Sequence, residues 1–292
     1  MKILVTGANG MLGSSLCGLY QSEHEIYALH RDTVCYAPSK ANYSVDLNNE
    51  VKLGEIFDQV QPDLVIHTAG ATNVDQCEKM PAFAYENNVS VTESIARLCN
   101  NVSTLIYIST DQVYGENPNH SEESNSLLPI NEYGKTKYLG ENSALKHALK
   151  SIVIRTNIFG WNIKPDRISS AEWIYHTLKD GNEITLFDDY YFSPISSENL
   201  GAVILQLVQI DFCGIINIGS PTSCSKYEFG ISLAETFRFN SELISKGSIS
   251  DYNFFAPRVN NLNLNTAKIA GLGIHLPDYK SSLKNFKKTK PD

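Results

Sequence analysis

The chain has 292 residues, 42% hydrophobic and 19% charged, which is the make-up of a soluble globular protein with one large domain or a core and a smaller lobe. Its 32 acidic against 24 basic side chains give a net charge of −8, which argues against a nucleic-acid surface but allows a local basic pocket. No apolar run approaches the roughly 20 residues a membrane helix needs, and six scattered cysteines without a C-x-x-C pair fit free thiols in a cytoplasmic chain.

The first strand pattern, KILVTG at 2–7, starts at the second residue and leaves no room for a signal peptide. It runs into GANGMLG, where Gly7, Gly10 and Gly13 space as G-x-x-G-x-x-G before a helix. Glycines there permit a tight turn, close approach of backbone to a pyrophosphate, and close packing of helix on strand. The helix N-terminus, with roughly half a positive charge, then faces the phosphates, with Met11 and Leu12 beside them. A P-loop is excluded, because the single Gly-Lys pair, Gly134-Lys135, has no glycine five residues earlier.

The second strand, EIYALHR at 25–31, leads into Asp32. Arg31 suits a 2′-phosphate and points to NADPH, whereas Asp32 would accept from an unphosphorylated ribose and keeps NADH open. Asp46 and Leu47 follow a short strand-like piece and are placed to touch adenine. Further strands read at 63–70, 104–110 and 151–157, with helical spacing over 81–100 and 131–150 between them. This alternation predicts an α/β fold, a doubly wound parallel sheet of Rossmann type.

The strand at 104–110 ends Ser109-Thr110-Asp111, followed by neutral Gln112. In a doubly wound sheet, ligands sit beyond the carboxyl ends of the strands, so these side chains face a ligand. A Tyr-x-x-x-Lys pair sets a phenol and an ammonium on one helical face, where the cation favours the phenolate and the tyrosine serves as a proton donor or acceptor. The pattern occurs at Tyr36/Lys40, Tyr133/Lys137 and Tyr175/Lys179. Pro38 disqualifies the first as a helical face, and the third falls on an amphipathic helix beyond the nucleotide half. Tyr133/Lys137 opens the helix after Thr110 and shares the crevice with the glycine turn.

Beyond residue 160 the pattern loosens. Helices read at 169–181, 196–209 and 225–237, and a strand at 214–219. Aromatic and Asn residues cluster in 186–192 and 251–265, and the Lys-rich last dozen residues read as a solvated, frayed tail. The expected division is a dinucleotide-binding core over 1–160, to which 196–209 and 214–219 return, and a mainly substrate-binding lobe over 161–292.

TGANGMLG, ISTDQVYG, NEYGKTKYLGE and IRTNIFG resemble the extended short-chain dehydrogenase/reductases. PDLVIHTAGATNVDQCEKMP, ENNVSVTESIARLC and APRVNNLNLNTAKI are most similar to the dTDP-4-dehydrorhamnose reductases within them. The resemblance implies that Tyr133 protonates a sugar ketone, Lys137 lowers its pKa and holds the nicotinamide ribose, and Thr110 hydrogen-bonds the same oxygen. It implies that Asn88 supports the lysine, that Thr68, Ala69 and Gly70 lie along the cofactor, and that Thr72, Asp111 and Arg258 join Thr110 on the substrate side. Related 4,6-dehydratases end this strand Thr-Asp-Glu; Gln112 cannot take the second proton, which favours simple reduction. Departures from the pattern are Arg258-Val259 for Arg-Pro, Leu262 for a small hydroxyl, and Ile158 for Trp. The expected protein is an NADPH-preferring reductase of a nucleotide-linked 4-keto-6-deoxysugar, with NADH possible, no metal, and a homodimer as the oligomer allowed. The alternatives are an NAD-dependent nucleotide-sugar epimerase and a non-catalytic dinucleotide-binding regulatory subunit.

Overall fold

Apolar runs that bury side chains on both faces are strands of a parallel sheet. In the computed structural model, which describes residues 1–99, 103–115 and 121–291, these are β1 (Lys2–Thr6), β2 (Glu25–His30), β4 (Leu64–His67), β5 (Thr104–Ile108) and β6 (Ser151–Phe159), joined at one edge by the polar, partly exposed β3 (Ala41–Ser44). Their order across the sheet is β3-β2-β1-β4-β5-β6, continued by strand Gly214–Ile218, with every pairing parallel. Succession reverses at β1, which lies between β2 and β4, and the crevice opens there. The last three residues of β6 also pair with Pro194–Ser196.

The helices of this half are α1 (Met11–Tyr20), α2 (Glu50–Val60), α3 (Val74–Lys79), α4 (Pro81–Tyr85), α5 (Val91–Leu98) and α6 (Glu132–His147). One core fills the sheet face under α1 and helix Ser197–Gln209, where Leu16, Tyr20, Leu200 and Ile204 meet Ile3 and Ile154. The other lies under α2, α5 and α6, with Leu53, Ile95 and Ala144 against Leu4 and Leu105. The single helix expected over 81–100 is interrupted: α4 passes into a π turn, Glu86–Ser90, before α5 ends at Leu98, and residue 100 lies outside the described residues. Such single-turn π insertions gather at functional sites.

A third core joins Phe159 to α7 (Ser170–Lys179) and helices Lys226–Phe237 and Tyr279–Lys288. The last of these corrects the expected frayed tail. Leu283 and Phe286 are fully buried on one face, while Lys280, Lys284, Lys287 and Lys288 are exposed. The Phe286 ring stacks on Trp161 at 4.0 Å and 7°, and Trp161 Nε1 donates to the Phe286 carbonyl at 2.7 Å.

Candidate active site

A cleft of about 530 Å³ crosses the carboxyl ends of the strands. It is lined by Gly7, Gly10, Met11, Leu12, Gly13, Arg31, Asp46, Leu47, Thr68, Ala69, Gly70, Thr72, Thr110, Asp111, Tyr133 and Lys137. Of the residues singled out in the sequence, Asn88 and Arg258 do not line it.

The turn that opens α1 is shaped for an anion. Gly7 sits at φ +65°, the left-handed region that glycine adopts without strain, and a Cβ on Gly13 would lie 2.3 Å from the Gly7 carbonyl. No side chain caps α1 at Gly10 and no acid occupies its first turn. Its leading amides therefore turn to the cleft with the positive end of the helix dipole, a fit for a pyrophosphate.

At the far end, Arg31 is exposed. Asn9 locks the segment after β2: its Oδ1 accepts from Tyr36 N at 2.8 Å and its Nδ2 donates to the Val34 carbonyl at 2.8 Å.

The chemical groups meet at the end of β5. Thr110 caps the short 3₁₀ turn Asp111–Tyr114, donates to Asp111 Oδ1 at 3.0 Å, and lies beside the Tyr133 phenol. Asp111 is buried, and its Oδ2 accepts from Asn157 Nδ2 at 2.6 Å. Burial pushes the Asp111 carboxyl up to about 6, against the pull of Asn157 and Thr110. Tyr133 lies in the first turn of α6, whose N-cap, Asn131, accepts from Gly134 N at 2.8 Å.

Lys137 is not aimed at the phenol as the pattern suggested. Its ammonium donates to the Ile108 carbonyl at 2.7 Å and sits 4.0 Å over the Tyr107 ring. Burial brings it down to about 7. Burial likewise raises the Tyr133 phenol, and the partner that draws it back is Thr110.

Asn88 and Arg258 have other partners. Asn88, inside the π turn, accepts from Ala71 N at 2.8 Å and donates to the Ala71 carbonyl at 3.1 Å and to Thr136 Oγ1 at 3.0 Å. It pins the loop after β4 onto α6, so it supports the cleft from behind. Arg258 pairs with Asp75 at 2.8 Å, and its Nη1 is buried without a hydrogen-bond partner. The other Tyr/Lys pairs lie elsewhere: Lys40 bridges to Glu25, and Tyr175 packs against Trp161 and Phe237.

Several site residues escaped the sequence reading. A buried ion pair, Arg155 to Glu141 at 2.7 Å, lies behind the cleft and reaches it through Ser109, whose Oγ donates to Glu141 at 2.5 Å; Arg155 Nη1 donates to the Tyr114 hydroxyl at 2.9 Å. Its signal was an arginine inside an apolar strand, which is rarely buried without a partner. Asn157, Asn162, Lys164 and Arg167 also line the cleft, from the end of β6 and the loop after it. No local pattern marked them.

The RmlD substrate binding domain family model matches residues 1–290. The chain is 27% identical to the probable low-salt glycan biosynthesis reductase Agl14 of Haloferax volcanii, over 97% of this chain and 96% of the relative. It is 26% identical to the dTDP-4-dehydrorhamnose reductase of Aggregatibacter actinomycetemcomitans, over 98% of each. The dTDP-4-dehydrorhamnose reductase of Bacillus anthracis, solved in complex with NADP, superposes with a TM-score of 0.89 at 25% identity over 99% of each chain.

Proposed function

The chain belongs to the RmlD substrate binding domain family, and from that premise we propose that it is an NADPH-dependent reductase of a nucleotide-linked 4-keto-6-deoxysugar. The observation that carries the reading is the meeting of Thr110 and Tyr133 at the end of β5, in the same cleft as the uncapped start of α1.

NADPH held in this cleft supplies the hydride. The α1 amides at Gly10, Met11, Leu12 and Gly13 are suited to hold its pyrophosphate and Arg31 its 2′-phosphate. Asp46 and Leu47 would flank the adenine, Thr68, Ala69 and Gly70 would hold the middle of the dinucleotide, and Lys137 would take the nicotinamide ribose. Tyr133 gives its proton to the ketone oxygen, and Thr110, turning its one O–H from Asp111 to that oxygen, donates a hydrogen bond to it as negative charge develops. A high phenol pKa keeps Tyr133 protonated and ready to donate. Recruiting the Lys137 ammonium would then stabilise the phenolate left behind. Asp111, with both oxygens already engaged, orients Thr110 and the sugar. Gln112 offers no second carboxylate, so water is not removed from the substrate.

We assign residues 1–160, with 196–209 and 214–219, to the dinucleotide core, and 161–292 mainly to the sugar nucleotide, with Thr72 and Arg258 on that side. Among the described residues no helix is long and apolar enough to cross a membrane, and all six cysteines are free; the cytoplasm is the compartment we assign. A homodimer is the oligomer allowed, which sedimentation velocity would test. The decisive experiment offers purified protein a panel of nucleotide 4-keto-6-deoxysugars with NADPH and follows absorbance at the nicotinamide band and product stereochemistry. Stoichiometric NADPH oxidation with one new alcohol supports the reading; redox-neutral isomerisation would point instead to an epimerase, and no turnover to a binding subunit.

A further inference from the structure

Asp32 is held at both carboxylate oxygens: Lys164 Nζ donates to Oδ1 at 2.7 Å and Asn9 Nδ2 to Oδ2 at 2.9 Å. The Lys164 bond, then the Asn9 bond, keep this carboxyl below the usual range. Lys164 comes from the loop between β6 and α7 and crosses to the nucleotide half with only 13% of its side chain exposed. That loop is preset by the buried Glu172, which accepts from Asn162 N at 2.9 Å, Asn162 Nδ2 at 2.6 Å and Ser169 N at 2.5 Å. Ser169 Oγ closes the loop on the Gly160 carbonyl at 2.8 Å.

Resting on the reading that a dinucleotide fills this cleft, we propose that Lys164 is a cofactor-selecting residue: it occupies the acid that a free ribose 2′-hydroxyl would use and, with Arg31 and Arg167, seats a 2′-phosphate. An acid at the end of the second strand ordinarily accepts from the ribose and repels a phosphate. Here its charge is paired and each oxygen already has a donor. Arg31, Lys164 and Arg167 line the same cleft as Asp32, Asp46 and Asp111, and among the described residues Asp32 is the one of these acids held in an ion pair. A 2′-phosphate gives Lys164 and the arginines a shared acceptor. The loop after β6, and with it the second half of the chain, is then tied to the cofactor through the group that distinguishes NADPH from NADH.

The test is calorimetric titration of the full chain with NADPH, NADH, adenosine 2′,5′-bisphosphate and 5′-AMP, for the parent, Lys164→Met and Lys164→Arg. Losing a charge-assisted contact, Lys164→Met should bind NADPH and the bisphosphate about tenfold or more weakly, with NADH and 5′-AMP within about twofold or tighter. Lys164→Arg should keep the preference, and thermal melting monitors the fold. Equal weakening of both cofactors would show Lys164 to be a strut that does not read the phosphate; unchanged NADPH affinity also overturns the proposal. A Lys164-dependent preference without turnover of any nucleotide ketosugar removes the proposed reaction and leaves the selection standing. A parent that binds no dinucleotide removes both.

Discussion

Asn131 donates to the side-chain oxygen of Gln112 at 3.0 Å and to the Pro257 carbonyl at 3.1 Å, while its own oxygen caps α6. The neutral residue beside Asp111 therefore holds the N-cap of the helix that presents Tyr133. Gln112→Ala should loosen that cap, lowering Tm by about 2 °C, as loss of one neutral hydrogen bond implies for a chain of this size. It should also lower kcat more than it raises KM. Gln112→Glu keeps an acceptor for Asn131 and should retain the parent Tm. A Gln112→Ala protein with parental kcat and Tm would remove the positioning role.

Tyr133→Phe should lower kcat by about 10²-fold or more, the usual worth of a general acid, with NADPH affinity little changed. Tyr175→Phe, in the pair buried among aromatics, should leave turnover near parental. Stopped-flow hydride transfer and equilibrium binding separate the two effects, and turnover within a few-fold of the parent for Tyr133→Phe would sink the assignment.

Asp111 joins chemistry to stability. Its carboxyl is pushed up to about 6 by burial, so the fold favours the protonated form. That contribution is fully present below the unfolded value near ~4 and is lost as pH rises through about 6. Asp111→Asn cannot titrate. Its Tm should hold at pH 8, and the decline of Tm between pH 4 and 7 should flatten. If Asp111 orients substrate, kcat/KM falls by about tenfold or more. Parental turnover with a lowered Tm would mean that Asp111 only holds Thr110 and Asn157 in place.

Arg31→Ala should erase about tenfold of the preference for NADPH over NADH, since a charge-assisted contact to a phosphate is worth roughly 1.5–3 kcal/mol. Equal affinities of the parent for both cofactors would falsify this.

Arg155→Met leaves Glu141 buried and unpaired beneath the cleft. The expected loss is about 3–5 kcal/mol in denaturant unfolding, as for other broken buried pairs. Arg155→Met with Glu141→Gln should recover part of it. A single variant as stable as the parent would mean that Glu141 takes up a proton and needs no partner.

The parallel sheet was legible because its signals are local: apolar β-branched runs, turn glycines, and helical spacing between them. The glycine turn, Thr110, Tyr133 and Lys137 reach one cleft for the same reason, since strand ends and helix starts converge in a doubly wound sheet. What stayed hidden depends on distant pairings. Lys164 meets Asp32 across 132 positions and Asn131 meets Pro257 across 126. Asn88 kept its place in the sequence pattern, but its amide is taken by Ala71 and Thr136, which a motif cannot reveal. The helix at Tyr279–Lys288 was masked by lysines, whose charge outweighed the spacing of Leu283 and Phe286.

The polar network behind the cleft is completed late in synthesis. Tyr114, which receives the Arg155 guanidinium, is itself bonded to Asn217 at 2.8 Å, and the outer edge of β6 is paired only by Pro194–Ser196 and Gly214–Ile218. A nascent chain that has released only its first 167 residues from the ribosome carries an open strand edge and a half-finished polar network, the kind of surface that pairs with strangers. The glycine turn and every residue that lines the cleft lie within the first 167 positions, yet the Arg155 network beneath them waits for Asn217, fifty residues later.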